Sequence, residues 1–245
     1  AEDPAGNVSN ASTSQSLEID TTPPTAAITY SAVSPHKNGD AALVITATFN
    51  DDMAVSPAPN ITITGSSTLA TVSATAMTRV SATSYTYTYA IPANDGVGTI
   101  TLSTGEDVAG NSVTAVPTSG ATFTVDNTLP SAPTINTITS PTNTTPTISG
   151  TGVTGDTITL YQASTSIGTV VVSGGTWSIT PSVMSNGTYT ITATATDPAG
   201  NQSVASSSQS LEIDTTPPSA AITYSAASPH KNGDAALVIT ATFND

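Results

Sequence analysis

Residues 186–201 read Asn-Gly-Thr-Tyr-Thr-Ile-Thr-Ala-Thr-Ala-Thr-Asp-Pro-Ala-Gly-Asn. Threonine occupies every second position from Thr188 to Thr196, and the positions between are apolar. This alternation predicts a strand with one buried face, in which Tyr189 near the strand start forms a tyrosine corner. The Asp-Pro-Ala-Gly-Asn that follows predicts a tight turn.

The composition extends this strand prediction to the whole chain. Of the 245 residues 37% are hydrophobic and only 8% are charged, and β-branched side chains dominate the alternating runs. The net charge of -14 argues against nucleic acid and anionic membrane surfaces as partners. Since cysteine is absent, disulfides and thiolate metal sites are excluded. No apolar run is long enough to predict a segment inserted in a membrane. We expect an all-β protein.

The chain repeats itself at an offset of 194 residues. Ala1–Asp51 matches Ala195–Asp245 at 45 of 51 positions. An Asp-x-Ala-Gly-Asn turn and a linker ending in proline recur three times, so we predict two domains per period. The turns are Asp3–Asn7, Asp107–Asn111 and Asp197–Asn201, and the linkers are Ile19–Pro24, Val125–Pro130 and Ile213–Pro218.

The recurring turns and linkers divide the chain into domains of the size expected for a β-sandwich. Short strands at regular spacing predict tandem immunoglobulin-like β-sandwich domains in an elongated array. We expect each domain to close with a long strand, Val113–Val125 in the first and Val204–Ile213 in the second. The chain is expected to be cut from a longer array. The predicted segments are 1–20 (the last turn and strand of a preceding type-2 domain), 21–126 (type 1), 127–214 (type 2) and 215–245 (the first strands of the next type-1 domain).

The acidic side chains gather at the predicted domain junctions. Fourteen of the 17, including Asp245, fall there, and the other three (Asp40, Asp95 and Asp234) fall in turns at the opposite end of type-1 domains. Crowded carboxylates repel one another unless a cation lies between them, and oxygen donors without His or Cys suit structural Ca²⁺ better than Mg²⁺. The alternative is solubilising surface charge. The candidate ligands are Glu18, Asp20, Asp51, Asp52, Glu106, Asp107, Asn111, Asp126, Asp156, Asp197, Asn201 and Asp214.

The sequence offers little for catalysis. His36 and its copy His230 are the only histidines, and both fall in a predicted turn. The Asp51-Asp52 pair could serve a glycosidase, but the recurrence of acids at every junction favours a structural role. We expect no enzyme activity. We also expect the outward threonine face of Thr188–Thr196 to be a solvated sheet surface rather than an ice- or glycan-binding one.

Three segments, Gly175–Pro181, Asn186–Ala193 and Asp197–Asn201, resemble the bacterial Ig-like (BIg) repeats of giant adhesins. Those adhesins include RTX adhesins and biofilm-associated proteins, and Ser34–Phe49 is similar to a second repeat type found in them. The resemblance implies a Ca²⁺-rigidified extender on the bacterial cell surface that holds a distal ligand-binding region away from the cell. It also implies interdomain calcium ligands at Asp20, Asp107, Asp126, Asp156 and Asp197.

The expected function is therefore the stalk of an extracellular adhesin. Its partners would be the neighbouring Ig-like repeats of the same chain, and an isolated segment would be monomeric. The alternative is a subunit of a self-assembling extracellular filament or surface layer, with lateral contacts between chains.

Overall fold

A computed structural model describes residues 1–244, so Asp245 lies outside the described residues. The chain forms two compact units, the first spanning Ala1–Thr128 and the second beginning at Leu129. The described residues contain strands and turns but no helix, and hence no helix of the length and apolarity that a membrane crossing requires. All strand pairings within the sheets are antiparallel, as the all-β prediction requires.

The first unit contains two four-stranded sheets around one apolar core. One face is buried in most of the strands, as in Leu43–Phe49 (β2), where Leu43, Ile45 and Phe49 point inward. Tyr85 and Phe123 are the bulkiest of the side chains that are almost completely buried. One sheet has the order β1 (Ala26–Tyr30), β2 (Leu43–Phe49), β6 (Ser84–Tyr89), β5 (Thr78–Arg79); the other has β4 (Val72–Ala76), β3 (Asn60–Gly65), β7 (Gly96–Ser103), β8 (Thr122–Val125).

The second unit contains a smaller sandwich. Trp177 is buried in its core and donates its indole N–H to the Thr151 carbonyl at 3.2 Å, which satisfies its polar atom. One sheet has the order β13 (Thr176–Ile179), β10 (Ile148–Thr151), β9 (Thr134–Ile135); the other has β12 (Thr165–Val171), β11 (Thr157–Gln162), β14 (Gly187–Thr196), β15 (Gln209–Ile213).

Strand β14 is the one predicted by the alternating threonines. Ile191, Ala193 and Ala195 are completely buried, while Tyr189 is half-buried at the strand start. The Tyr189 hydroxyl donates to the Ser185 carbonyl at 2.8 Å, which is the hydrogen bond of a tyrosine corner.

The closing strands are shorter than the sequence predicts, because β8 starts only at Thr122 and β15 only at Gln209. In the first unit the preceding segment is bonded to another part of the fold: Thr114 and Thr118 donate their backbone N–H groups to the carbonyls of Pro24 and Ala26. In the second unit, side chains replace part of the ladder. The hydroxyls of Ser203 and Ser206 accept the N–H groups of Ala195 and Ala193.

The two copies of the repeat agree in one hairpin and differ in the segment that precedes it. A hairpin of β16 (Ala220–Tyr224) and β17 (Ile239–Phe243) reproduces the β1–β2 register shifted by 194 residues. Residues 9–25, in contrast, form no strand, so the strand expected within residues 1–20 is absent from the described residues. The equivalent β15 pairs with β14, and a strand without a neighbour to pair with is not stable.

Candidate functional site

The Asp-x-Ala-Gly-Asn motif folds into the same turn in all three copies. In Asp107–Asn111, the Asp107 carboxylate accepts the backbone N–H of Asn111 at 2.8 Å and its side-chain amide at 2.9 Å. Two backbone bonds, from Asp107 N–H to the Asn111 carbonyl and from Gly110 N–H to the Asp107 carbonyl, close the turn. Equivalent bonds occur in Asp3–Asn7 and Asp197–Asn201. The motif therefore fixes the orientation of its aspartate.

Three carboxylates converge in the first unit. Asp20, Asp51 and Asp107 each offer an oxygen within 4.8 Å of the others. Together with Glu18 they line a cleft of about 320 Å³. The sequence predicted all four as ligands, and the fold brings them together.

Each of these carboxylates comes from a different part of the unit. Asp51 follows β2, Asp107 follows β7, and Asp20 lies in the segment that leads to β1. The Asn111 side-chain amide donates to the Asp20 carbonyl at 3.2 Å as well as to Asp107, so it ties this segment to the turn. The cluster therefore joins the entering linker to two loops of the sandwich.

The Asp107 side chain is suited to remain charged. Burial raises its pKa, but hydrogen bonds from the Asn111 side chain and from the N–H groups of Asn111, Ala109 and Gly110 outweigh burial, so that the net pKa is lowered. Only 2% of Asp107 is exposed. A buried carboxylate that favours its charged form, beside two others, is a set of oxygen donors that could hold a cation.

Two of the acids in the loops after β2 and β7 that were predicted as ligands lie outside this cluster. Asp52 follows Asp51 directly, but its side chain is exposed and does not line the cleft. Its carbonyl instead accepts the N–H of Val108. Glu106 is half-buried and its carbonyl accepts the N–H of Ala54, but its carboxylate is not in the cluster.

In the second unit a single carboxylate is buried without a partner. Asp156 is 3% exposed, and its Oδ2 has no hydrogen-bond partner. Burial raises its pKa, and the negative charge of Asp197 raises it further. Asp197 itself accepts both the backbone and side-chain N–H groups of the buried Asn201. An orphaned buried oxygen beside a second carboxylate fits a cation ligand.

The linker aspartates Asp126 and Asp214 adopt a common local geometry. In each case one carboxylate oxygen accepts the N–H of the residue two positions later, at 3.0 Å from Thr128 and 2.8 Å from Thr216. Asp20 does the same with Thr22 at 2.9 Å. The bonds from Thr216 lower the pKa of Asp214. Each linker thus begins with the same Asx turn.

The sequence prediction missed two residues that contact the linkers. Asp95 hydrogen-bonds to Asn127 and Thr128, and Asn186 hydrogen-bonds to Thr215 and Thr216. Both precede a glycine, in Asp95-Gly96 and Asn186-Gly187. An Asp-Gly or Asn-Gly dipeptide about 30 residues before each of these two linkers was the signal that could have identified them.

Comparisons with known proteins found similar solved structures and a matching family model. The chain is similar to fibronectin(III)-like modules of Clostridium thermocellum CbhA, with 16% identity, a TM-score of 0.39, and coverage of 76% of this chain and 93% of that one. It is also similar to the S-layer protein rSbsC(31-844), with 14% identity, a TM-score of 0.28, and coverage of 91% and 33%. No curated protein matches. The family model described as "Bacterial Ig-like domain" matches residues 134–215, so this part of the chain is similar to a bacterial Ig-like domain.

Proposed function

We propose that the chain is an extender segment of a large bacterial cell-surface adhesin, in which Ca²⁺ stiffens the linkers between Ig-like domains and a distal region binds the adhesive ligand. The observation that carries the proposal is the convergence of Asp20, Asp51 and Asp107 where the linker enters the first sandwich. One of these carboxylates belongs to the linker segment and two to the sandwich loops, so a shared ion would cross-link them.

The residues present fit calcium. All three ligand groups are carboxylates, and hard oxygen donors suit Ca²⁺. Calcium binds oxygens at about 2.3–2.6 Å, so two oxygens on one ion are at most about 5 Å apart. The ligand oxygens of the three aspartates lie within 4.8 Å of one another, which is close enough for all three to contact one ion. Glu18 in the same cleft would supply a further ligand.

The second unit supports the same role. Ionised Asp156 carries a charge that is buried and lacks a partner, and a cation bound with Asp197 would remove that penalty. Asn201 would hold Asp197 in place. By their sequence equivalence to Asp20, Asp126 and Asp214 are the linker carboxylates of their respective junctions.

The proposal includes an extracellular location, where calcium is abundant enough to fill such sites. Ca²⁺ sites in extracellular modules bind with dissociation constants of about 10⁻⁴–10⁻³ M, a range that only the calcium concentrations outside cells would saturate. An ion bound by the folded chain alone stabilises it by mass action. The role assigned to the chain is mechanical, and no residue is given a catalytic part.

The proposal is tested with the 245-residue chain in CaCl₂, in EGTA, and in MgCl₂ at the same ionic strength. We expect calcium to raise the unfolding temperature of both units and to increase the maximum dimension in small-angle scattering. Trp177, the only tryptophan, reports the second unit by fluorescence, and near-UV tyrosine signals, to which both units contribute, follow the whole chain. Unchanged melting and unchanged dimensions in all three solutions would contradict the proposal.

Sedimentation of the chain in calcium tests the extender against the alternative of a self-assembling filament or surface layer. A monomer supports the extender, and concentration-dependent assembly supports the filament.

A further inference from the structure

The linker that leaves the first sandwich is held by a polar side chain. One oxygen of the Asp95 carboxylate accepts the backbone N–H of Asn127 at 2.6 Å and its side-chain amide at 3.1 Å. The other oxygen accepts the hydroxyl of Thr128 at 2.7 Å. Asp95 thus binds both residues that follow the linker aspartate Asp126.

A second loop contributes to the same grip. The Asn127 side-chain oxygen accepts the backbone N–H of Asn38 at 2.6 Å, and Asn38 lies in the turn between β1 and β2. Asp95 lies between β6 and β7. Because two separate loops hold Asn127, its backbone direction is fixed relative to the sandwich.

The second sandwich holds its exit linker in an equivalent way. The hydroxyl of Thr215 donates to the Asn186 side-chain oxygen at 2.7 Å, and the Asn186 amide donates to the Thr216 hydroxyl at 3.1 Å. Asn186 therefore also binds the two residues that follow a linker aspartate, in this case Asp214.

The two contacts occupy the same position in the two sandwiches. Gly96 begins β7 and pairs with Val125, and Gly187 begins β14 and pairs with Ile213. Val125 and Ile213 are the residues immediately before Asp126 and Asp214. The residue before each glycine therefore faces the start of the linker. This equivalence between two unlike domains indicates a shared structural role rather than a chance surface contact.

We propose that Asp95 and Asn186 are positioning residues that clamp the two residues after the aspartate of each exit linker, and that this clamp does not require a metal ion. With it, each domain extends rigidly through Thr128 or Thr216. The linker carboxylates Asp126 and Asp214 would be preoriented before calcium arrives, and this last part rests on the proposed function.

Hydrogen-bonding capacity, rather than negative charge, carries the clamp. In the second unit an amide performs the task, because a threonine hydroxyl can donate to its oxygen or accept from its nitrogen. Asparagine at position 95 should therefore keep most of the contacts, whereas alanine should lose them all. Asp95→Asn and Asp95→Ala form a matched pair that separates a clamp from a simple charge.

The experiment measures backbone ¹⁵N relaxation at Asn127 and Thr128 in the full chain, first in EGTA. We expect order parameters of about 0.85 in the wild type and in Asp95→Asn, and below about 0.6 in Asp95→Ala. Asp234→Ala is the control, because it removes the same charge and Asp234 accepts a bond within its own turn, from the Lys231 N–H. Asn186→Ala should have the same effect at Thr215 and Thr216.

Repeating the measurement in CaCl₂ separates the clamp from the calcium site. If EGTA leaves the linker amides ordered in the wild type and Asp95→Ala mobilises them, the clamp holds whether or not calcium binds. If the linker amides of the wild type are mobile in EGTA, or if Asp95→Ala leaves them ordered, the clamp is overturned even where calcium still stabilises the chain. Loss of dispersed signals throughout the first unit would mark a misfolded Asp95→Ala. In that case Asn186→Ala, measured at Thr215 and Thr216 in the second unit, decides the result: mobile amides support the clamp and ordered amides overturn it.

Discussion

The carboxylates of Asp51 and Asp107 approach within 4.8 Å, although 56 residues separate them in the sequence. Asp51 follows β2 and Asp107 follows β7, and an isolated bridge between Met53 and Asp107 holds the two loops side by side. The buried Met53 anchors this bridge in the core. The proximity of the two acids is therefore a property of the folded sandwich.

The first prediction concerns the neighbouring acids Asp51 and Asp52. Asp51→Asn removes one charged ligand from the cluster, and we expect calcium affinity to fall at least about tenfold, a loss of about 1.4 kcal/mol. Asp52→Asn is the control, because it removes the same charge at the next position along the chain, from a side chain that is exposed. Isothermal titration calorimetry of both variants measures the affinities, and equal losses would reduce the cluster to a general surface-charge effect.

The second prediction is that replacing Asp156 has opposite effects on the stability of the second unit without and with calcium. Its pKa is raised because burial and the charge of Asp197 disfavour ionisation, so its contribution to stability falls as pH rises from 3.8 through the native pKa. Asp156→Asn should therefore raise the unfolding temperature of the metal-free second unit. The same variant should lose the gain from calcium, which amounts to about 2.7 kcal/mol at a hundredfold excess over the dissociation constant.

Asp197→Asn is the contrasting variant for this prediction. Asp197 accepts two bonds from Asn201, so its replacement should lower the stability of the metal-free unit. Trp177 fluorescence in EGTA and in calcium follows both variants. The explanation fails if Asp156→Asn destabilises the unit in EGTA as much as Asp197→Asn does.

The third prediction concerns acid sensitivity of the first unit. His36 is 3% exposed and its Nε2 has no hydrogen-bond partner. Burial lowers its pKa, and the charge of Asp40 only partly opposes this effect. The unfolded chain therefore binds a proton first as pH falls, so stability should fall below pH 6.5, by at most about 1.4 kcal/mol per pH unit.

His36→Phe should flatten this pH dependence, since phenylalanine fits beside Phe123 and does not titrate. Denaturant titrations at pH 7, 6 and 5, followed by tyrosine near-UV circular dichroism, measure the slope. His230, the exposed copy, provides His230→Phe as the control, which should keep the wild-type slope. A wild-type slope in His36→Phe would assign the acid sensitivity to other groups.

The fourth prediction concerns the irregular entry to β15. The Ser206 hydroxyl accepts the buried N–H of Ala193 at 3.0 Å and takes the place of a strand neighbour. Ser206→Ala leaves this N–H without that partner, so we expect the second unit to lose about 1–3 kcal/mol of unfolding free energy. A urea titration measures this loss. In the same titration Ser208→Ala, at an exposed position, should stay within about 0.5 kcal/mol of wild type.

The strands themselves were predictable because their signal is local. The alternation in Thr188–Thr196 depends only on the two-residue period of a strand, and the buried face of β14 is the predicted one. Tyr189 was predictable for the same reason, since its partner Ser185 is four residues away. The closing strands were overestimated, because segments 113–121 and 203–206 also show strand-like composition. Thr114 and Thr118 bond to the carbonyls of Pro24 and Ala26, and serine hydroxyls replace part of the backbone ladder between 203–206 and β14.

The sequence by itself determined the all-β class, the 194-residue repeat, the Asp-x-Ala-Gly-Asn turns and the accumulation of acids near the linkers, because these depend on residue type and on short spacing. Only the tertiary structure decided that Asp51 rather than Asp52 joins Asp20 and Asp107, that Asp156 is buried without a partner, and that Asp95 holds Thr128. Adjacent residues in a loop can point in different directions, and contacts between residues far apart in the chain exist only once the sheets have packed. Sequence spacing therefore identified which residues were available, and packing selected those that meet.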